Sequence, residues 1–524
     1  MSKFVKAIKV ENNLTLTENN QLAYRSTAYS KVLDLYGVAG ALRTRTEDEI
    51  KTKMAEAFDE DALLATRLLF YLGDIREGLG ERRTFRVALE WLAHNHPEVV
   101  RANLALIPHF NRWDSIFVLK DTNLEPDMVN MVMRQLTEDL RNARSDGSVS
   151  LLAKWMPSQG ASSLATRALG RWFAQKLNYT PREYRIMLSF LRDYLRVVET
   201  RMSAKEWQDI DYSQVPSVAM NRYRKAFHNQ DGERFREFLG KVEKGEESIK
   251  ASALYPYDIV YKMMRGERDR VLEAQWKALP NYVEGEHNVL IMADVSGSMS
   301  GQPMATSVGL AIYFAERNHG PFHNLFMTFS ARPEFVELSG HDLYTKIQNA
   351  QKADWGINTS LHAAFDKVLR VAVENKLKNE DLPKAIVVIS DMEIDFATTV
   401  GQDFMKIQAE SFAKFGYDLP KLIYWNVQSR RDTFLADGNR PGVQLASGQS
   451  VSVFRNILNS IATTPYEAML EVLNDARYEC ITVPDFYARH SGRVLTAQVT
   501  TAPQVHRSLE AIRSNRAKVV KNLF

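Results

Sequence analysis

An aspartate and two serines spaced as D-x-S-x-S, Asp294, Ser296 and Ser298, close the apolar run Val289-Leu290-Ile291-Met292-Ala293. Gly297 lies between the serines and Gly301 follows them. A second apolar run, Ala385 to Ser390, ends at Asp391, and the polar stretch Trp355 to Ser360 contributes Thr359. Two carboxylates and three hydroxyls are hard oxygen donors, a set that suits a hard divalent cation, magnesium above all. The D-x-S-x-S spacing recurs by chance; the order strand, motif, threonine loop, strand-end aspartate is far more selective. The same residues also admit a purely structural reading, in which the serines cap the next helix and Asp391 sits in a strand-end turn.

The elements that must position these groups are buried parallel strands, because each apolar run is continuous rather than alternating. From Glu284 onward, short apolar runs alternate with amphipathic stretches. Strands are expected at Asn288–Val295, Leu325–Ser330, Glu334–Leu338, Lys384–Asp391, Lys421–Val427 and Val443–Ala446. Helices are expected near Met304–Arg317, Leu361–Leu377 and Phe404–Phe415, with two more at Ser452–Ala462 and Pro465–Arg477. This alternation predicts an α/β, doubly wound, mostly parallel sheet over residues 281–486. The acids and hydroxyls would then gather in the crevice at the carboxyl ends of the strands, where such sheets bind ligands.

Residues 1–280 have another texture. The first twenty look irregular, and Gln21–Arg43 is compatible with a helix. Thr46 precedes three acids, Glu47, Asp48 and Glu49, as at a helix start. Leu63, Leu64, Leu68, Leu69 and Leu72 mark another helix, and Arg83 to His94 a further one, ended by Pro97. The rhythm continues to about Leu279 and predicts an all-helical array of stacked hairpins, without a strict repeat period. Residues 487–524 form a basic tail, with Arg489, Arg493, Arg507, Arg513, Arg516, Lys518 and Lys521 against Glu510.

The chain has 524 residues, too many for one ordinary domain. Its single cysteine, Cys480, excludes an internal disulfide and a cysteine-based zinc site, which fits a reducing, cytoplasmic setting. The start has no long apolar core, so no signal peptide is expected, and no apolar run approaches the ~20 residues that span a bilayer. Net charge is only +3, so any nucleic-acid argument must rest on local charge.

Such a local concentration lies between Lys154 and Lys225. Its cations include Arg167, Arg171, Lys176, Arg182, Arg185 and Arg192, and its aromatics include Trp155, Trp172, Phe173, Tyr184 and Tyr194. Arg185, Arg192 and Arg196 recur at one and two helical turns and would make a ridge. Arginines pair with phosphates and exposed aromatics stack on unpaired bases. Equally, the aromatics could be core and the arginines a solvated face.

Together these features resemble a known pattern. Asp294, Ser296, Ser298, Thr359 and Asp391 match the metal-ion-dependent adhesion site of von Willebrand factor A domains. There, these residue types hold magnesium and one coordination position stays open for an acidic oxygen of a ligand. A helical-repeat module followed by such a domain is similar to the Ro autoantigen family, whose helical module is called TROVE. The chain also looks like an uncharacterised bacterial, viral and plant branch of that layout. The stretches LTLTENNQLAYRST, YLGDIREGLGERRTF, IPHFNRWDSIFVL, LLAKWMPSQ and VPSVAMNRYRKAF carry that likeness.

The resemblance implies a multidomain protein with HEAT-like helical repeats closed into a ring, packed with the metal-site domain. It implies binding of small structured or misfolded noncoding RNA by a monomer. The helix-loop-helix LGRWFAQKLNYTPREYRIMLSFLR would hold the RNA contacts, Arg171, Lys176, Arg182 and Arg185, with Arg167 and Arg192 flanking. The function expected is a noncatalytic RNA-binding scaffold with magnesium-dependent docking of a protein partner's acidic side chain. The alternative is a magnesium-dependent protein adaptor without RNA. An enzyme is not expected: no histidine neighbours the site residues and no G-x-x-x-x-G-K-[ST] loop is present.

Overall fold

A computed structural model describes residues 13–17, 22–330, 332–353, 360–394, 404–459 and 464–488. The chain forms two compact units. One draws on the chain up to Thr84 together with Ala251–Asp475; the other draws on Phe85–Lys250 and the chain from Ala476 onward.

The first unit is built on a six-stranded sheet. A small hairpin precedes it, β1 (Leu14–Leu16) paired antiparallel with β2 (Leu22–Tyr24). The large sheet comprises β3 (Val289–Asp294), β4 (Leu325–Phe329), β5 (Phe335–Glu337), β6 (Ala385–Ser390), β7 (Lys421–Asn426) and β8 (Val443–Ser447). Their order is β5-β4-β3-β6-β7-β8. All neighbours are parallel except β4 and β5, which are antiparallel at the edge. Every residue of β3 and β6 is buried, as continuous apolar runs require when both faces of a sheet are covered.

The strands and most helices of this unit fall within a few residues of their expected places. The helix Leu343–Ala350, capped by Asp342, was not legible in the sequence pattern. The expected Gln21–Arg43 helix is corrected: Leu22–Tyr24 is a strand, and the helix runs Lys31–Val38 with Ser30 accepting from the Leu33 amide. A polar run, Arg25 to Ser30, separates the two.

The grouping of the chain also differs from the layout expected from texture, which assigned residues 1–280 to one helical domain. Lys31–Val38 packs on β8, with the Gly40 amide donating to Ser447 Oγ at 3.0 Å and that hydroxyl donating to the Tyr36 carbonyl at 3.1 Å. A Cβ on Gly40 would lie 2.4 Å from the Gly448 Cα, so only glycine permits this approach. The first helices are therefore part of the sheet's own cover.

The second unit is helical. Its longer helices are Glu125–Arg144, Leu164–Lys176, Pro181–Tyr194, Ser217–Gln230 and Gly232–Lys244. Phe173, Tyr184, Leu191, Phe227 and Phe235 are buried among them. Pro181–Tyr194 opens with a reciprocal cap between Thr180 and Glu183. Beyond Ala476 the chain is tied in by Tyr478 stacked on Phe110 and by paired hydrogen bonds between Asn103 and Thr482. The basic tail from residue 489 onward lies outside the described residues. Among those described, no helix is long and apolar enough to cross a membrane.

Candidate metal centre and basic surface

The parallel register of β3 and β6 places Ala293 opposite Ile389, so Asp294 falls beside Ser390 and Asp391 one residue beyond. Asp294 is buried, and each of its carboxylate oxygens accepts a hydrogen bond. Its Oδ1 accepts from the Ser296 amide at 2.9 Å, and its Oδ2 accepts from Ser390 Oγ at 2.5 Å. Ser296 Oγ and Ser298 Oγ are 3.1 Å apart. Ser298 is exposed, so the hydroxyl pair runs from the buried carboxylate to the surface. Asp391 is buried; its Oδ1 accepts from the Glu393 amide at 3.2 Å, and its Oδ2 is ion-paired with the Arg430 guanidinium. Thr359 lies outside the described residues; the chain resumes at Ser360, which caps the helix Leu361–Glu374.

Neither serine caps the following helix. Gln302–Arg317 is entered through Gly301 at φ +90°, ψ −129°, with no side-chain cap. That conformation is open only to glycine, and it frees the serine hydroxyls from backbone duty. The turn half of the structural reading does hold for Asp391, through Oδ1 alone.

Burial, and then the nearby Asp391 carboxylate, push Asp294 up to about 7, against the pull of its hydrogen bonds to Ser296 and Ser390. Two carboxylates held close at one sheet edge are a place where positive charge is favourable. The donors, two carboxylates and two hydroxyls, are all oxygen and fit a magnesium-like cation. Among the described residues there is no cluster of three or more His, Cys, Asp or Glu, so the fit rests on a mixed set in which hydroxyls do half the work.

Two residues here were missed by sequence reasoning. Ser390 ends the same apolar run as Asp391, and the strand register alone would have pointed to it. Arg430 follows β7 and is carried to the site by strand order, for which no spacing in the sequence gives a sign.

In the helical unit, Arg167 and Arg171 are one turn apart on Leu164–Lys176, and Arg182 and Arg185 lie on the packed helix Pro181–Tyr194. Arg171, Arg182 and Arg185 are exposed and Arg167 half-buried; none of the four forms an ion pair among the described residues. Lys176 is exposed but paired with Glu125 at 2.6 Å. Arg192 does not belong with them. Its guanidinium donates to the Ala153 carbonyl at 2.9 Å, the Met156 carbonyl at 2.6 Å and Ser158 Oγ at 2.7 Å. It braces the chain at 153–158, as does Tyr184, whose hydroxyl donates to the Pro157 carbonyl at 2.9 Å.

Most of the interleaved aromatics are structural as well. Phe173 and Tyr184 are fully buried, and Arg112 stacks over Trp155 at 3.9 Å. On the two helices Leu164–Lys176 and Pro181–Tyr194, the exposed large apolar residues are ones the sequence reading passed over: Leu164 at 75%, Ile186 at 58% and Phe190 at 42% exposure. Arg182, Ile186 and Phe190 follow one another at helical spacing on the outer face of Pro181–Tyr194.

Among known families, residues 17–113 and 122–286 match the domain of unknown function DUF2828, which spans half of the chain. Residues 288–481 match a second domain of unknown function, DUF7788. The uncharacterized protein L728 of Acanthamoeba polyphaga mimivirus is 28% identical over 502 residues, covering 88% of this chain and 87% of its own length. The two family matches meet at the change of texture near residue 287, whereas the compact units divide the chain at Thr84, Lys250 and Asp475.

Proposed function

The chain belongs to the DUF2828 family, and for it we propose a noncatalytic scaffold that docks an acidic protein partner through magnesium and binds small noncoding RNA on its helical unit. The observation that carries the reading is the group of oxygen donors at the sheet edge. Asp294, Asp391, Ser296 and Ser298 converge at the carboxyl edge of β3 and β6, and the serines have no capping role there. This supports a von Willebrand factor A-type domain with an adhesion-type site, for which the sequence pattern offers Thr359 as a further hydroxyl. Bound there, magnesium supplies a hard acceptor for one oxygen of a partner's carboxylate. Asp294 and Asp391 would balance its charge and the serine hydroxyls would add neutral oxygens, while the buried β-strands keep these residues in register. A cytoplasmic compartment belongs to the proposal because the chain has one cysteine.

The RNA half rests on Arg167, Arg171, Arg182 and Arg185, cations without acidic partners among the described residues. Lys176 is a weaker contributor because Glu125 already neutralises it, and Arg192 is left out because it braces the fold. A second reading, a magnesium-dependent adaptor without RNA, draws on Ile186 and Phe190, since exposed apolar groups among arginines also suit a protein surface.

Recovery of crosslinked RNA from cells separates the two. Wild type is compared with Arg171→Glu/Arg182→Glu/Arg185→Glu and with Asp294→Ala. The proposal expects discrete small RNAs with wild type, their loss on charge reversal and their retention by Asp294→Ala. Absence of RNA with wild type would favour the adaptor.

A further inference from the structure

The metal centre contains one cation of its own. Arg430 reaches Asp391 from the loop after β7, and its guanidinium contacts Oδ2 of that carboxylate. The other oxygen, Oδ1, is committed to the turn through the Glu393 amide. The oxygen of Asp391 that is not tied to the turn is therefore the one that Arg430 touches. From this geometry we infer that Arg430 and the divalent cation compete for Oδ2 of Asp391, so that Arg430 sets how tightly the site holds its metal. The inference rests on the metal-centre reading above and deepens it.

Two observations bear on the exchange. The Asp391 side chain is 1% exposed, whereas that of Arg430 is 31% exposed, so the arginine comes in from the solvent side and has water to return to. The loop backbone is fixed by the Ser429 amide donating to the Ala41 carbonyl at 2.9 Å and by Ser429 Oγ donating to the Arg431 carbonyl at 2.9 Å. Exchange can therefore run through the Arg430 side chain while the loop backbone stays in place.

The charges favour exchange too. A guanidinium brings one positive charge to one of the two carboxylates, whereas a divalent cation brings two charges to both. A guanidinium remaining beside the metal would repel it. Removing the arginine should thus tighten metal binding by two routes, freeing the oxygen and deleting a like charge.

The test is manganese binding to the full chain, followed by the electron paramagnetic resonance signal of free Mn2+, with magnesium as competitor. Wild type, Arg430→Gln, Arg430→Lys and Asp391→Asn are compared. We expect Arg430→Gln to bind about tenfold more tightly than wild type, Arg430→Lys to stay near wild type, and Asp391→Asn to lose binding. Thermal unfolding gives an independent readout: manganese should raise the Tm of Arg430→Gln more than that of wild type.

If Arg430→Gln unfolds in chelator but folds in manganese, the cation has replaced the guanidinium and the inference stands. If Arg430→Gln stays unfolded in both, Arg430 does something the metal cannot, and the inference falls. Wild type that binds manganese with no gain in Arg430→Gln overturns the competition alone. Wild type that binds no manganese overturns the metal centre with it.

Discussion

Asp294 shows what a single residue contributes and costs. It is a buried acid facing a second acid, and it is held by two hydrogen bonds that leave it little freedom. Replacing it by asparagine keeps the shape and removes the repulsion. Asp294→Asn is therefore expected to unfold at the same or a higher temperature than wild type in chelator at neutral pH or above, while losing metal binding. A clear loss of stability would mean that the charge is not held against its preference.

Glu81 offers a second test at this scale, away from the candidate metal centre. Burial pushes it up to about 7, against the pull of the paired Arg43 guanidinium. A carboxyl raised on folding binds its proton more tightly in the folded chain. Its contribution is present below about 4.5, its unfolded value, and is lost as the pH rises through about 7. Glu81→Gln should flatten the stability profile across that window, measured by denaturant unfolding at a series of pH values. An unchanged slope would show that Arg43 fully offsets the burial.

At the scale of elements, what the sequence disclosed follows from how each element is buried. β3 and β6 were legible because strands covered on both faces must be apolar throughout, and Val289–Ala293 and Ala385–Ile389 are. The acids closing them marked the site. The cover of β8 was not legible, because the apolar face of Lys31–Val38 states that something covers it and not what. Arg430 was hidden for the same reason: strand order is a long-range property, and no local spacing encodes it. Arg192 was misread because a basic ridge on a helix looks the same whether its members face water or carbonyls.

Two substitutions test these assignments. Arg192→Ala should cost about 2–4 kcal/mol, since it strips charged donors from two carbonyls and a hydroxyl, while Arg182→Ala should be near neutral. Gly40→Ala should cost roughly 1–3 kcal/mol through its clash with Gly448. Urea unfolding reads both, and a neutral Gly40→Ala would contradict the close approach.

For the whole molecule, the proposal is a division of labour between a sheet unit that presents oxygen donors and a helical unit that presents arginines without acidic partners among the described residues. The RNA part has a thermodynamic signature. Reversing Arg171, Arg182 and Arg185 should weaken binding and lower the slope of log K against log salt by about 2, at roughly 0.7 per lost phosphate contact. A drop in affinity with an unchanged slope would mean that the variant had lost structure and not contacts.

The metal centre is the claim on which the rest depends, and anomalous diffraction from crystals soaked in manganese tests it most directly. The account predicts one strong peak bridging Asp294, Ser296, Ser298 and Asp391, at about 2.0–2.3 Å from its nearest oxygens. No peak at saturating manganese, or a peak elsewhere with these four residues bare, would contradict it.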